Sequence, residues 1–146
     1  MGLSSFYTKV ASKLDNAKFL PLIIIRLMLA YGFYGPAMSK LKGIQGIADW
    51  FSSMGYPFPL FNAYLVTAAE ALGVILLALG LGTRIISIPL MIVMIVAIFT
   101  VHYSNGFAAG DNGIEIPLYY FIMLLTLLIF GSGKMSIDHL ISRKRK

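Results

Sequence analysis

The chain has 146 residues, of which 58% are hydrophobic and 12% are charged. Soluble domains carry about a quarter charged residues, so the composition excludes an ordinary soluble globule, a disordered segment and a nucleic-acid-binding module. The net charge of +6 is better explained by a membrane surface, as its distribution shows below. The absence of cysteine excludes disulfides, thiolate metal sites and thiol chemistry by the chain itself.

Residues 1–18 have the pattern of an amphipathic helix that lies on a membrane. Apolar side chains recur there at helical spacing, at Leu3, Tyr7, Val10 and Leu14. Lys9 and Lys13 occupy other parts of the helix surface. A helix with one apolar stripe and basic side chains is typical of contact with anionic lipid. We therefore predict an interfacial helix before the first membrane span.

Four apolar segments are long enough to cross a membrane, for which about 20 residues are needed. They cover residues 19–39, 60–81, 85–103 and 114–130. Because short connections join them, the sequence predicts a single all-α domain over residues 1–146. Its expected architecture is a bundle of four transmembrane helices with short interfacial helices. Runs of this length do not fit the alternating strands of a membrane barrel.

Residues 44–54, between the first two predicted spans, form a second amphipathic segment. Its apolar stripe consists of Ile44, Ile47, Trp50, Phe51 and Met54. The turn-rich string Gly55-Tyr56-Pro57-Phe58-Pro59 follows and resets the chain for the second span. Two interpretations remain open for the segment: a surface or re-entrant helix that seals one leaflet, or a lid over an outward-facing cavity.

The basic residues predict the orientation of the four spans. With the N-terminus inside, nine of them face the cytoplasm: Lys9, Lys13, Lys18, Arg84, Lys134, Arg143, Lys144, Arg145 and Lys146. Only Lys40 and Lys42 fall on the outer side. This asymmetry places both termini, including a basic tail over residues 134–146, in the cytoplasm.

Two charged residues lie within predicted spans, where an unpaired charge is costly. Arg26 is about two turns into the first span, and Glu70 is near the middle of the second. A rise of 1.5 Å per residue places them at depths that differ by about 6 Å. We therefore predict a buried ion pair between Arg26 and Glu70. The pair either fixes the register of the bundle or belongs to a binding or proton-handling site.

Further polar residues gather at the outer ends of the spans. His102 ends the third span, and Glu115 and Tyr119 begin the fourth at a spacing that places them on one helix face. Tyr34 reaches the same level from the first span. We predict that His102, Glu115 and Tyr119 line one outward-facing cavity beneath residues 44–54. Tyr34 and Glu70 are predicted to contact the ligand as well. A histidine, carboxylates and tyrosines suit hydrogen bonding to a quinone or a similar carbonyl ligand. The alternative is that the tyrosines only anchor the spans at the lipid headgroups.

No metal-binding, dinucleotide-binding or haem-binding motif is present, so we expect neither a catalytic residue nor a metal or covalent cofactor, with quinone as the candidate ligand. Expected partners are the lipid bilayer, a redox enzyme subunit or a second copy of the chain.

Several motifs over residues 22–140 make the chain resemble the DoxX family of small bacterial membrane proteins. The motifs are Trp50-Phe51-Ser52-Ser53-Met54-Gly55-Tyr56-Pro57, Ala63-Tyr64-Leu65 with Glu70, Leu76-Leu77-Ala78-Leu79-Gly80-Leu81-Gly82-Thr83-Arg84, Val101-His102-Tyr103-Ser104-Asn105-Gly106-Phe107, Asn112-Gly113-Ile114-Glu115 and Gly131-Ser132-Gly133-Lys134-Met135-Ser136-Ile137-Asp138. Many members carry a His-Gly pair near the end of the first span, where this chain has Tyr34-Gly35-Pro36.

The resemblance implies a bacterial inner-membrane protein connected with quinone or redox metabolism. The wider group includes subunits associated with thiosulfate:quinone oxidoreductase activity and members linked to oxidative stress. Three functions are consistent with it: a non-catalytic accessory subunit that binds quinone, a carrier for a small apolar molecule, or an assembly partner of a membrane complex.

Overall fold

The computed structural model describes residues 2–144, which form α-helices and short turns and contain no strand. The helices are α1 (Leu3–Asn16), α2 (Phe19–Lys42), α3 (Ile44–Ser53), α4 (Pro59–Leu79), α5 (Thr83–Ala97), α6 (Glu115–Phe130) and α7 (Ile137–Lys144). A π-helical turn (Ile98–His102) and a 3₁₀ turn (Tyr103–Asn105) extend α5. The all-α prediction is confirmed for these residues. Met1 of the predicted first helix, and Arg145 and Lys146 of the basic tail, lie outside them.

Three helical segments are long and apolar enough to cross a membrane: Phe19–Lys42, Pro59–Leu79 and Thr83–Asn105. They agree closely with the first three predicted spans. The fourth, α6, has 16 residues and is about 24 Å long at 1.5 Å per residue. This is shorter than a hydrocarbon core of about 30 Å, so the fourth crossing and the orientation of the termini stay predictions.

The helices bury an apolar core and leave an apolar exterior. In the bundle, α2 packs mainly on α4 and α5 packs mainly on α6, while α4 also contacts α3 and α5. Fully buried core side chains include Leu29, Phe33, Leu77, Leu90, Leu124 and Leu127. Large apolar side chains also cover the outside, for example Leu65, Ile75, Ile92 and Ile122. An exterior this apolar is typical of a surface in contact with lipid.

The two amphipathic segments differ in how they attach to the bundle. None of the residues of α1 is buried, and its contact with lipid stays a prediction. In contrast, α3 packs on α4 and buries Ala48. The segment at residues 44–54 is therefore a helix on the flank of α4.

The turn between α4 and α5 brings the C-terminal part of the chain to one end of the bundle. Gly80 adopts a left-handed conformation after α4, with φ of 66°. The Leu81 N–H donates to the Leu76 carbonyl at 2.9 Å, as expected for a helix that ends in a left-handed glycine. The Gly80 carbonyl in turn accepts a hydrogen bond from the Asp138 N–H at 3.0 Å. This contact holds α7 at the α4–α5 turn.

Candidate functional site

A cavity of about 320 Å³ lies between α2, α4, α5 and α6. Its walls are mostly apolar or backbone: Gly32, Phe33, Pro36, Met94, Ala97, Ala109, Asn112, Gly113, Ile116 and Pro117. Three chemically active side chains also line it: Glu70, His102 and Tyr120. Cavities of this kind, apolar with a few convergent polar groups, are typical of small-molecule sites.

Glu70 enters this cavity as part of an ion pair with Lys40. The Lys40 ammonium lies 2.7 Å from one carboxylate oxygen and 2.9 Å from the other. Lys40 continues the stripe of α2 that also buries Phe33 and Ala37, which lie seven and three residues earlier. Glu70 itself is only 3% exposed. A carboxylate so deeply buried requires a cation or several hydrogen-bond donors, and Lys40 supplies the cation.

The predicted pair between Arg26 and Glu70 is wrong, because each residue has another partner. The Arg26 guanidinium donates to the Ser132 carbonyl at 2.7 Å and to the Met135 carbonyl at 3.2 Å. Arg26 and Lys40 are 14 residues apart in α2, which is about 21 Å along a helix. A carboxylate that binds Lys40 therefore lies beyond the reach of Arg26.

His102 is placed by the π-helical turn at the end of α5 and by the loop before α6. Its Nδ1 atom lies 2.7 Å from the Asn112 carbonyl oxygen. Because a carbonyl oxygen only accepts, Nδ1 carries the hydrogen and Nε2 is left to accept a hydrogen bond from a ligand. The π-helical turn is a local feature that often accompanies functional sites, and it is not visible in the sequence pattern.

Tyr120 presents its hydroxyl group to α2. A Cβ atom added at Gly32 would overlap that hydroxyl, so the ring end lies directly against the glycine. The Tyr120 ring also packs edge-on against Phe33, with a centroid distance of 5.4 Å. Within residues 2–144, the tyrosine hydroxyl of α6 that forms a hydrogen bond is that of Tyr119, not that of Tyr120. The Tyr120 hydroxyl is therefore free to donate to a ligand in the cavity.

Three residues that were predicted to line the cavity or to contact the ligand do not line this cavity. The Glu115 carboxylate accepts hydrogen bonds from the Ala109 N–H at 2.8 Å and from the Tyr119 hydroxyl at 3.1 Å, so it holds the loop before α6. Tyr119 and Tyr34 are 45% and 54% exposed, and neither lines the cavity. Glu70 and His102, which were each predicted to contact the ligand, both line this cavity, and ligand binding itself stays a prediction.

The predicted position of the cavity beneath residues 44–54 is also wrong. Among the residues described, none from α3 lines the cavity, whereas Ala109, Asn112 and Gly113 of the α5–α6 connection do. The physical reason is that α3 packs on the flank of α4, so the α5–α6 connection, and not α3, borders the cavity.

Sequence reasoning missed Lys40 and Tyr120. The signal for Lys40 was its spacing of seven residues from Phe33, which continues a buried helix face. Tyr120 lies three residues after Pro117 on the face of α6 that lines the cavity, and nothing in the sequence marks that face. To choose between Tyr119 and Tyr120, one must know which face of α6 points into the bundle. Because α6 is apolar on all sides, its sequence pattern does not reveal that face.

These features define a small helical membrane protein with a polar cluster at an internal cavity. The chain belongs to the DoxX family, whose model, described as DoxX, matches residues 21–103. This confirms the resemblance that the motifs indicated.

Three curated proteins illustrate what the chain is similar to. An uncharacterized protein of Haemophilus influenzae is 32% identical over 84% of this chain and 83% of its own length. The putative oxidoreductase CatD of Bacillus subtilis is 28% identical over 85% of this chain and 89% of its own. The inner membrane protein YphA of Escherichia coli is 30% identical over 80% and 87%. No solved structure is significantly similar to the chain.

Proposed function

We propose that the protein binds a quinone in the cavity and presents it to a membrane redox enzyme as a non-catalytic accessory subunit. The observation that carries the proposal is the convergence of Glu70, His102 and Tyr120 on one mostly apolar cavity, with Lys40 paired to Glu70 beside it. A quinone combines a flat apolar ring with two carbonyl groups, so it needs apolar walls and a few hydrogen-bonding groups. The name of the similar CatD protein, putative oxidoreductase, supports a redox connection.

Each polar group has a defined task in this proposal. The Tyr120 hydroxyl donates to a quinone carbonyl from beside Gly32. His102 offers Nε2 to the reduced form, whose hydroxyl donates a hydrogen bond. The Lys40 ammonium and the Glu70 carboxylate make the electrostatic potential positive near Lys40 and negative near Glu70. This difference in potential orients the ligand. The protein binds and positions the ligand, and the partner enzyme supplies the electrons.

We also propose that the protein spans the bacterial inner membrane four times, with both termini in the cytoplasm. The excess of basic residues at the Arg84 and Lys134 end of the bundle supports this orientation, and the similar YphA is named an inner membrane protein. In this topology the cavity lies toward the outer side. Single cysteines introduced at Ser4 and Ser142 should be inaccessible to a membrane-impermeant maleimide in intact cells. Labelling of either one would contradict the orientation.

The test of quinone binding uses decylubiquinone, a short-chain quinone, with detergent-purified protein. Tyr120→Phe keeps the ring and its contact with Phe33 but removes the hydroxyl, so we expect the Kd to rise about 2- to 10-fold, the range for one net hydrogen bond. Tyr119→Phe is the matched control, since it removes the neighbouring hydroxyl outside the cavity. Its Kd should equal that of the unchanged protein.

Three outcomes would contradict the proposal. If Tyr120→Phe and Tyr119→Phe raised the Kd for decylubiquinone equally, the cavity would not be the binding site. Counterflow of a small apolar solute by reconstituted vesicles, without quinone binding, would establish a carrier. The third outcome is that the protein carries no ligand but co-purifies with another membrane protein. If changes at His102 or Tyr120 left that association unaffected, the protein would be an assembly partner.

A further inference from the structure

A second cavity, of about 670 Å³, lies at the opposite end of the bundle, around the loop that joins α6 to α7. Arg84, Lys134, His139 and Ser142 contribute polar side chains to it, and Ile85 and Phe130 contribute apolar ones. None of these residues lines the cavity that holds Glu70. The two spaces are therefore separate sites with different chemistry.

The charge of this second cavity is positive although Asp138 is one of its lining residues. The Asp138 carboxylate accepts hydrogen bonds from the Gly82 N–H at 2.7 Å and the Thr83 N–H at 3.1 Å, and it also faces the charge of Arg26. Its charge is therefore already compensated by groups of the fold. Arg84 and Lys134 remain as the positive charges that face the cavity.

The Arg84 side chain is held in place rather than free in solution. Its Nη2 atom donates to the Ile129 carbonyl at 3.0 Å, and the guanidinium lies against Gly131. An arginine guanidinium has five N–H donors in a rigid fork that matches a phosphate group. One donor is used on Ile129, and the others are left for an anion.

The apolar edge of the cavity indicates where that anion comes from. Ile85 is 77% exposed and Phe130 is 68% exposed, and both are also cavity residues. They sit at the ends of α5 and α6, at the level where a membrane span meets the headgroups. A free phosphate ion would leave these side chains unused, whereas a phospholipid would cover them with the first part of an acyl chain.

We propose that this cavity binds the phosphate group of an anionic phospholipid. Arg84 and Lys134 bind the phosphate, His139 and Ser142 hydrogen-bond the polar headgroup, and the acyl chains run over Ile85 and Phe130. Basic cavities between helices at the cytoplasmic end of membrane proteins are a recurring way to recognise acidic lipid headgroups. The bound lipid would also tie the α6–α7 loop to the membrane.

The test uses delipidated protein in detergent, with retained lipid measured by native mass spectrometry. The probes are dioleoyl phosphatidylglycerol, dioleoyl phosphatidylcholine and inorganic phosphate. Phosphatidylglycerol should be retained well above phosphatidylcholine. The double variant Arg84→Gln with Lys134→Gln should lower that retention roughly 30-fold, because each basic residue near an acidic lipid contributes about a factor of five.

Two further variants keep the result interpretable. Lys134→Gln alone leaves the Arg84 contact with Ile129 intact, so it should fold normally and lose about fivefold. Arg143→Gln with Lys144→Gln removes the same number of charges from α7, outside the cavity, and should stay within about twofold of the unchanged protein since the phosphate contacts are kept. An equal loss in this control would overturn the proposal in favour of a diffuse surface charge. Displacement of phosphatidylglycerol by millimolar inorganic phosphate, or equal retention of phosphatidylcholine, would overturn it as well.

Discussion

The two ends of the bundle each bury a charged residue of α2 or α4, but they bind it with different groups. At one end Arg26, which is 3% exposed, is bound by the backbone carbonyls of Ser132 and Met135. At the other end Glu70, which is also 3% exposed, is bound by the side chain of Lys40. The difference lies in what surrounds each group. Glu70 borders a cavity, whereas Arg26 is enclosed by the chain.

This comparison shows that burial and a bound partner alone do not identify a functional charge. The partners of Arg26 are 106 and 109 residues away in the chain, so Arg26 connects α2 to the loop before α7 and serves the fold. Glu70 is paired as well, but its pair faces a space that a ligand can occupy. Access to a cavity is the feature that distinguishes Glu70 from Arg26.

The largest effect is expected at Arg26. Arg26→Met leaves the buried Ser132 carbonyl and the partly buried Met135 carbonyl without their charged donor, and should lower the free energy of unfolding by about 3 kcal/mol. The α6–α7 loop should also become accessible to protease. The measurement is detergent unfolding combined with limited proteolysis. Arg143→Met, on the exposed surface of α7, is the control and should change neither. A stable, protease-resistant Arg26→Met protein would show that Arg26 does not hold the loop.

The ion pair at the other end can be tested with a double-mutant cycle. Lys40→Met leaves Glu70 buried and unpaired, and should cost about 2 to 3 kcal/mol of unfolding free energy, somewhat less than a fully enclosed pair. Adding Glu70→Leu should recover most of that loss. The control cycle combines Glu70→Leu with Arg26→Met, which should be additive because the residues do not touch. If the control cycle showed coupling and the first cycle did not, Glu70 would pair with Arg26 rather than with Lys40.

A smaller effect is expected at the α4–α5 turn. Gly80 and Gly82 both have positive φ angles, of 66° and 57°, so alanine at either site should cost about 1 kcal/mol from backbone strain. At Gly80 a Cβ atom would also overlap the Arg26 guanidinium and Ser136, whereas Gly82 faces open space. Gly80→Ala should therefore have a melting temperature clearly below that of Gly82→Ala. Equal melting temperatures would mean that the Arg26 contact adapts without loss.

Much of the fold could be predicted from the sequence, because helix length and hydrophobicity are local properties. The first three apolar segments are helices at nearly the expected residues. The fourth predicted segment, residues 114–130, is also a helix, α6 (Glu115–Phe130), which ends before Gly131 with its φ of 81°. The membrane crossing of so short a helix depends on tilt and bilayer thickness, which the pattern does not encode.

The candidate site was predicted less well, because it depends on helix rotation and on long-range pairing. Glu70 and His102 stand out as polar residues in apolar surroundings, and both line the cavity. The partner of Glu70 could not be deduced from depth alone, since Lys40 reaches inward along its helix face. Arg26 was misassigned for a related reason: its acceptors are backbone carbonyls, and no side-chain pattern marks them.

The smallest change in stability, and the sharpest test of the cavity, is expected at Gly32. In Gly32→Ala the new methyl group would overlap the Tyr120 hydroxyl, so the ring must move away from Phe33 and into the space for the ligand. The gain from alanine in a helix, at most about 1 kcal/mol, offsets part of this cost, and the net change in unfolding free energy should be within about 1 kcal/mol. Gly35→Ala is the matched control, because the same helix offers open space there.

Binding of decylubiquinone is the second measurement. In Gly32→Ala its affinity should fall about tenfold or more, because a lost hydrogen bond and a narrowed cavity together remove about 1.4 kcal/mol. In Gly35→Ala the affinity should not change. Unchanged binding in both variants would exclude the cavity beside Gly32 as the quinone site.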